Sequence, residues 1–219
     1  MRYLVLSFSH KNTSLNLREK LSLSEDKADL LLKFILDSHI IKEVILLSTC
    51  NRLELFMMAN DAYEAFQLCF SKLSTLSNTN KDELEGRANT FEGYSAIHHI
   101  FLVASSLESL VVGETQISGQ LKKAYRYALH CNYCSNNGLG IVIDFAFKCA
   151  SVVRNETGVS KKPISIASVA VSSTKDLTLG KKEAVVVGIG EIGELTIKHL
   201  LNLDSEVKLL NRNRQKALD

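Results

Sequence analysis

The sequence predicts an α/β chain in two parts: an α+β domain whose elements run β-α-β-β-α-β with helices appended, then the opening of a parallel β-α-β domain. Three observations carry this. Apolar runs without helical spacing alternate with helix-period stretches as far as Phe91. From Tyr94 to about Asn155 the pattern is helical, in three segments. A Val-rich run then meets the glycine turn VVVGIGEIG and a further helical stretch. The first order is that of a split-βαβ, ferredoxin-like domain.

Taken along the chain, RYLVLSF (Arg2 to Phe8) reads as a strand. SLSEDKADLLLKFILDS reads as a helix, with Ser24 as N-cap, Glu25 and Asp26 in the first turn, and Leu30, Leu31, Phe34 and Ile35 on one face. Val44 to Leu47 and Arg52 to Met58 are strands joined by the polar break Ser48-Thr49-Cys50-Asn51. Asp61 to about Leu76 is a helix capped by Asn60 or Asp61, and Ala88 to Phe91 a short fourth strand. The helical segments that follow break near Gly113 and at SNNGLG (Ser135 to Gly140). TGVSKKP, Thr157 to Pro163, holds the one proline and reads as a linker. The expected domains are therefore 1–156 and 157–219. Within the second, Ile164 to Asp176 suggests a helix, Leu179 to Lys182 a turn, and EVKLLNRNR another strand and its end.

Bulk properties narrow the classes. A net charge of +2 over 219 residues leaves any nucleic-acid contact to local basic patches. No apolar run reaches the roughly 18 residues a bilayer span requires. The first residues turn polar too soon for a signal peptide, so a cytoplasmic location is expected. Five cysteines, an odd number, argue for reduced thiols and against a disulfide framework.

The glycine turn fits G-x-G-x-x-G with Gly188, Gly190 and Gly193, placed between a strand and a helix as a Rossmann-type dinucleotide site requires. Gly188 would permit the tight turn, Gly190 close approach of a pyrophosphate and Gly193 close helix–strand packing, with the phosphates at the helix N-terminus. A glycine-rich turn without a ligand is the alternative. At the end of the next strand stands Asn211-Arg212-Asn213-Arg214, two guanidiniums and no acid. That favours a 2′-phosphate and hence NADP over NAD, unless the loop is only solvated.

Cys50 admits two readings. It is either a small apolar residue at a strand end or a thiol placed to react. If Cys50 to Glu54 is extended, Cys50, Arg52 and Glu54 share a face. A neighbouring guanidinium would favour the thiolate, or Arg52 would fork onto a substrate carboxylate. Cys131-Asn132-Tyr133-Cys134 is a C-x-x-C with no second pair at metal-ligand spacing, and reads as incidental; no metal is expected.

His98 and His99 flank the apolar stripe of Ile97, Ile100, Phe101, Ala104 and Leu107 about equally, and periodicity does not choose between them. GETQISGQ (Gly113 to Gln120) is a polar, glycine-bounded junction that suggests groups aimed into a cleft. Lys122, Arg126 and His130, with Lys123 beside them, form a basic stripe suited to phosphates or simply solvated.

These residues together resemble the glutamyl-tRNA reductase family. The carrying motifs are LREK (Leu17 to Lys20), LSTCNRLEL (Leu47 to Leu55), HIFLVASSLESLVVGETQISGQLKKAY (His99 to Tyr125), VRNETGVSKKPISIASVAV (Val153 to Val171), GIGEIGEL (Gly188 to Leu195) and NRN (Asn211 to Asn213). They run in the family's order over essentially the whole chain, and the His99 to Tyr125 block is the most specific. The resemblance implies that Cys50 is the nucleophile, attacking the ester of glutamyl-tRNA to give a thioester that NADPH reduces to glutamate-1-semialdehyde, the precursor of 5-aminolevulinate and tetrapyrroles. It implies Thr49, Arg52, Ser109, Glu114, Gln116 and Gln120 around the glutamyl group, with Arg52 suited to its carboxylate, and His99, not His98, near the reacting carbonyl. Gly188, Ile189, Gly190, Glu191, Ile192, Gly193, Asn211 and Arg212 would hold NADPH.

The chain departs from the family at Ser7, where Gly is common, so that the turn after the first strand is expected to differ. It departs also near Ser14, where Pro is common, and at Leu102, where Arg is frequent. Members continue past Asp219, completing the cofactor domain and adding a dimerisation domain. A monomeric fragment of a homodimeric protein that binds NADPH poorly is therefore expected, with an aminomutase as the partner receiving the semialdehyde. A non-catalytic tRNA-binding or regulatory fragment of the same fold is the alternative.

Overall fold

The computed structural model describes residues 1–114, 116–160, 166–174 and 183–213. They divide into two compact units, Met1–Val159 and Ser160–Asp219, taken separately below.

The first unit opens with β1 (Arg2–Ser9), α1 (Leu15–Leu21), α2 (Glu25–Asp37), β2 (Ile41–Ser48), β3 (Arg52–Ala59), α3 (Ala62–Ser77), α4 (Lys81–Arg87) and β4 (Asn89–Glu92). The sheet order is β2-β3-β1-β4, and β3 pairs antiparallel with both β1 and β2. β1 and β2 thus run parallel with β3 between them, which is the split-βαβ arrangement. One sheet face meets α3, through Phe70 edge-on to Phe8 and Cys69 against Met57. The opposite face meets α5 (Tyr94–Ala104), α6 (Gln116–His130) and α7 (Leu139–Glu156). Because both faces are covered, Leu4, Val5, Leu6 and Phe8 are all fully buried. That explains the absence of two-residue alternation in β1. Each such side chain contributes about 1.5–3 kcal/mol of burial.

Local chemistry sets the helix ends. Ser24 caps α2 by accepting from the Lys27 N–H, and Asp61, not Asn60, caps α3 through the Glu64 N–H. The buried face of α2 is Leu31, Leu32 and Ile35, while Leu30 and Phe34 are exposed. The expected face is therefore rotated by about one residue. A run of three leucines offers two similar stripes, and packing against β2 and α3 selects the later one. Phe34 instead lies under the Lys72 ammonium, 4.2 Å from the ring centre. The short helices α1 and α4 were not anticipated. Two turns are too few to show a 3.6-residue pattern, and their local signals are confined to the ends, the caps Ser14 and Asn80 and charges such as Asp82 and Arg87 in the first and last turns of α4. Ser7 lies inside β1, not in a turn, so its departure from the family changes a strand position.

The second unit holds α8 (Ile166–Thr174), β5 (Glu183–Val187), α9 (Glu191–Leu201) and β6 (Glu206–Leu210), with β5 and β6 paired in parallel and α9 as the crossover. Lys161 to Pro163 of the linker, the Leu179 to Lys182 turn and Arg214 lie outside the described residues. Among the described residues no helix is long and apolar enough to cross a membrane.

Candidate active site

The β2–β3 hairpin presents Cys50 at its tip. Ser48 and Leu53 form the last strand pair, and the Thr49 N–H donates to the Arg52 carbonyl at 2.8 Å. Tight two-residue hairpin turns normally need residues with positive φ. Neither Cys50 nor Asn51 has one. The Thr49 hydroxyl serves instead, accepting from the Asn51 and Arg52 N–H groups at 3.2 Å each. The chain after β1 adds a clamp, the His10 N–H donating to the Asn51 carbonyl at 3.0 Å. Cys50 is left as an exposed free thiol on a braced turn. Thr49→Val removes both acceptor contacts at a cost of about 1–3 kcal/mol. Acylation or alkylation of Cys50 should change rate in that variant, while Thr49→Ser retains the wild-type rate.

The extended run begins at Arg52, so the expected shared face of Cys50, Arg52 and Glu54 holds only for the last two. Arg52 is 3% and Glu54 0% exposed. The guanidinium Nη1 donates to Glu54 Oε1 at 3.0 Å, and Nη2 donates to the Glu108 carbonyl. The same carboxylate oxygen accepts from Ser7 Oγ at 2.9 Å and meets His99 Nε2 at 3.2 Å. Burial alone would raise the Glu54 pKa; the contacts with His99, the Arg52 charge and the Ser7 hydroxyl outweigh it, and the net direction is downward. With the carboxylate ionised, Nε2 is the protonated ring nitrogen of His99 and donates. The ring is further fixed by stacking on Phe91, at 4.4 Å and 16°. His98 is exposed and stacks on Tyr94, so the tertiary structure separates the two histidines that the helical wheel could not.

Glu54 and Ser7 are the site residues that sequence reasoning missed. The available signal was the two-residue period from Arg52 to Glu54, with Ser7 opposite Glu54 in the β1–β3 register. Glu54 Oε2 and Ser109 Oγ are buried with no hydrogen-bond partner among the described residues, two polar atoms left available in one unit.

Two clefts open in this unit, and only the first includes residues of the hairpin. A groove of about 610 Å³ between α2, β2 and α6 is lined by Cys50, Thr49 and Gln120. A smaller one of about 280 Å³ is lined by His99, Ser7 and Leu102. Cys50 and His99 therefore open to different clefts, and Ser109, Glu114 and Gln116 line neither. Ser109 is buried, Glu114 half-buried and Gln116 exposed at the start of α6. Gly113, at φ +88, packs where a Cβ would stand 2.2 Å from the Val159 carbonyl oxygen. The C-x-x-C thiols are free, and burial together with the Glu43 carboxylate pushes Cys134 up to about 12, an unreactive thiol. Among the described residues no three His, Cys, Asp or Glu side chains are grouped to hold a metal ion.

In the second unit Gly188 has φ +93, and its N–H donates to the Leu210 carbonyl at 2.8 Å. A Cβ on Gly193 would lie 2.2 Å from the Gly188 carbonyl oxygen, so this position must be glycine for α9 to approach the turn. A Cβ on Gly190, the N-cap of α9, would meet nothing within 4 Å. Ile189 lies within the turn, and Gly188, Gly190, Glu191, Ile192 and Gly193 line an open cleft there. Asn211 and Arg212 follow directly on the Val187–Leu210 pair, at the same end of the two strands as the turn.

Fold and site define an α+β domain that displays a thiol on a braced hairpin beside a buried Arg-Glu-His cluster, followed by a β-α-β unit with a glycine turn. A sequence profile described as the N-terminal domain of glutamyl-tRNAGlu reductase matches residues 6–157. The chain is 49% identical to a glutamyl-tRNA reductase of Sulfurimonas denitrificans and 50% identical to one of Campylobacter lari, each over 99% of this chain. It covers 51% and 50% of those proteins, so it spans about half the length of the curated relatives it matches. Among solved structures, the glutamyl-tRNA reductase from Methanopyrus kandleri superposes with a TM-score of 0.67 at 30% identity, over 99% of this chain and 51% of that one. The chain belongs to the glutamyl-tRNA reductase family.

Proposed function

We propose that this chain is the catalytic part, with the beginning of the cofactor domain, of a cytoplasmic NADPH-dependent glutamyl-tRNA reductase, the entry step to 5-aminolevulinate and tetrapyrroles. The observation that carries the reading is the exposed Cys50 on its threonine-braced turn, in a chain aligned over 99% of its length with proteins of that name. Residues 1–156 act as the glutamyl-tRNA-binding domain and 157–219 as the start of the cofactor domain.

Cys50 as thiolate attacks the ester carbonyl carbon. The C–S bond forms, the ester C–O bond breaks, and the terminal ribose oxygen leaves and takes from solvent the proton that the thiol gave up to it, giving free tRNA and a Cys50 thioester. Thr49 keeps the turn rigid, and Gln120 shares the groove with the thiol. Arg52 and Glu54 brace the base of the hairpin. His99 is held in place by Glu54 through Nε2. Ser109, Glu114 and Gln116 are assigned to the glutamyl group.

The second unit fits a dinucleotide on its own geometry. Gly193 is required by internal packing, whereas Gly190 faces open space, where smallness serves close approach from outside the protein. The Gly188 to Gly193 turn, with Ile189, Glu191 and Ile192, would hold the pyrophosphate, and Asn211 and Arg212 the 2′-phosphate. NADPH, when bound, supplies the hydride that takes the acyl group to the aldehyde. In the complete protein, a homodimer in this reading, the semialdehyde passes to an aminomutase.

Mass spectrometry of the chain after incubation with glutamyl-tRNA tests the reading. A glutamyl adduct on the Cys50 peptide is expected, and neither adduct nor deacylation in the full-length protein would overturn it. For the cofactor, Gly193→Ala in the full-length protein should abolish NADPH binding measured by isothermal titration calorimetry while leaving Cys50 acylation intact.

A further inference from the structure

The groove beside Cys50 is larger than one amino-acid side chain needs, and its walls differ in character. Leu32, Leu46 and Ala124 supply flat apolar surface, and Glu25 on α2 is the only acid among the lining residues. On the opposite wall α6 contributes Tyr127 and Lys123. The Tyr127 ring is 47% exposed yet anchored, its hydroxyl donating to Asp29 Oδ1 at 3.2 Å. Lys123 is exposed and carries no ion pair among the described residues, as do Lys122 and Arg126, which continue the charge away from the groove along α6. A fixed aromatic face, apolar walls and a cationic lip are what a single-stranded nucleic-acid end requires.

Reaction geometry points the same way. Attack requires Sγ within about 3–3.5 Å of the ester carbonyl carbon. The ester oxygen belongs to the terminal ribose, so that sugar and its base must lie within a few bonds of Cys50. Of the two clefts, only this one is lined by residues of the hairpin, Cys50 among them. We propose that the groove seats the 3′-terminal adenosine of the aminoacyl-tRNA, with its base on the Tyr127 ring and its phosphate on Lys123. The preceding nucleotides then run along Lys122 and Arg126. Glu25 repels phosphate from the α2 wall and so fixes the polarity of the strand. This assignment rests on the reading of the chain as a glutamyl-tRNA reductase and adds a subsite to it.

The test uses the 219-residue chain and the trinucleotide CpCpA, which carries no glutamyl group. Alkylation of Cys50 by iodoacetamide is followed by peptide mass spectrometry. CpCpA is expected to slow it, CpC to do so far less, and raising salt from about 50 to 200 mM to weaken the protection. Tyr127→Ala should weaken protection about 5- to 150-fold, the range for losing one base stack, while Tyr127→Phe retains most of it. Lys123→Ala should lower both protection and its salt dependence, and Lys148→Ala on α7 neither. Absence of protection by CpCpA, or equal protection in Tyr127→Ala and Lys123→Ala, overturns the subsite. If a Cys50 adduct still forms from glutamyl-tRNA in that case, the functional reading stands without it. If the adduct is absent but CpCpA protects, the reading fails and the nucleotide groove stands.

Discussion

Cys50→Ser is expected to abolish the glutamyl adduct and to lower reductase activity of the full-length protein by a factor on the order of 10⁴ or more, as loss of a covalent nucleophile does. A serine hydroxyl at this position has no counterpart of the thiolate, since a free thiol titrates near 8.5 and an alcohol far above any working pH. The substitution should leave folding almost untouched. Cys50 is exposed, and the turn is held by Thr49 and by the His10 amide, not by the thiol. A stability change within about 0.5 kcal/mol is expected, as for ordinary surface positions. Thermal denaturation beside the adduct assay separates the two effects. A Cys50→Ser protein that still forms a stable acyl adduct elsewhere on the chain would remove the nucleophile assignment.

Glu54→Ala should have the largest effect on stability. The carboxylate receives Arg52, Ser7 and His99 at one oxygen, and all three partners are buried. Its removal leaves the Arg52 guanidinium as an uncompensated buried charge, which costs about 3–5 kcal/mol. At about 2–4 °C per kcal/mol for a chain of this size, Tm should fall by roughly 6–20 °C. Glu54→Gln, which keeps volume and an acceptor oxygen, should lose less. The pH dependence has a definite sign. The folded pKa of Glu54 lies below its ordinary value of 4.5. Its stabilisation is complete above that value and is lost as pH falls through the lower folded one. The gap between wild type and Glu54→Gln should therefore narrow on acidification below about pH 4.5. A gap that widens there would mean that the carboxyl is protonated in the folded protein.

Much of this architecture was legible before any coordinates. Gly188 and Gly193, each with a defined steric duty, stand in a motif whose spacing reflects backbone geometry, and backbone geometry is local. The cap Ser24 was legible for the same reason, because a side-chain oxygen reaches an amide three residues on, whereas Asn60 and Asp61 stayed alternatives until the structure chose Asp61. What escaped were features decided at a distance. The buried face of α2 depends on what β2 and α3 leave open for it. His98 and His99 differ only because Phe91 and Glu54 meet one of them. Arg52, which the resemblance assigns to the substrate carboxylate, is engaged by Glu54 and the Glu108 carbonyl, a pairing between residues 52 and 108 that no local pattern records.

By itself, then, the sequence determined the order of the strands and the longer helices, the glycine turn, the polar break that carries Cys50 and the family to which these motifs belong, since each is written within a few neighbouring residues. Only the tertiary structure decided that Cys50 faces a groove with Gln120 and Tyr127, whereas Arg52, Glu54 and His99 close a buried cluster on the sheet face covered by α5. The physical reason is the one-residue change of conformation at the turn. A strand continued back through Cys50 would have turned the thiol into that cluster, but the Thr49 hydroxyl ends the ladder first and leaves the thiol outside.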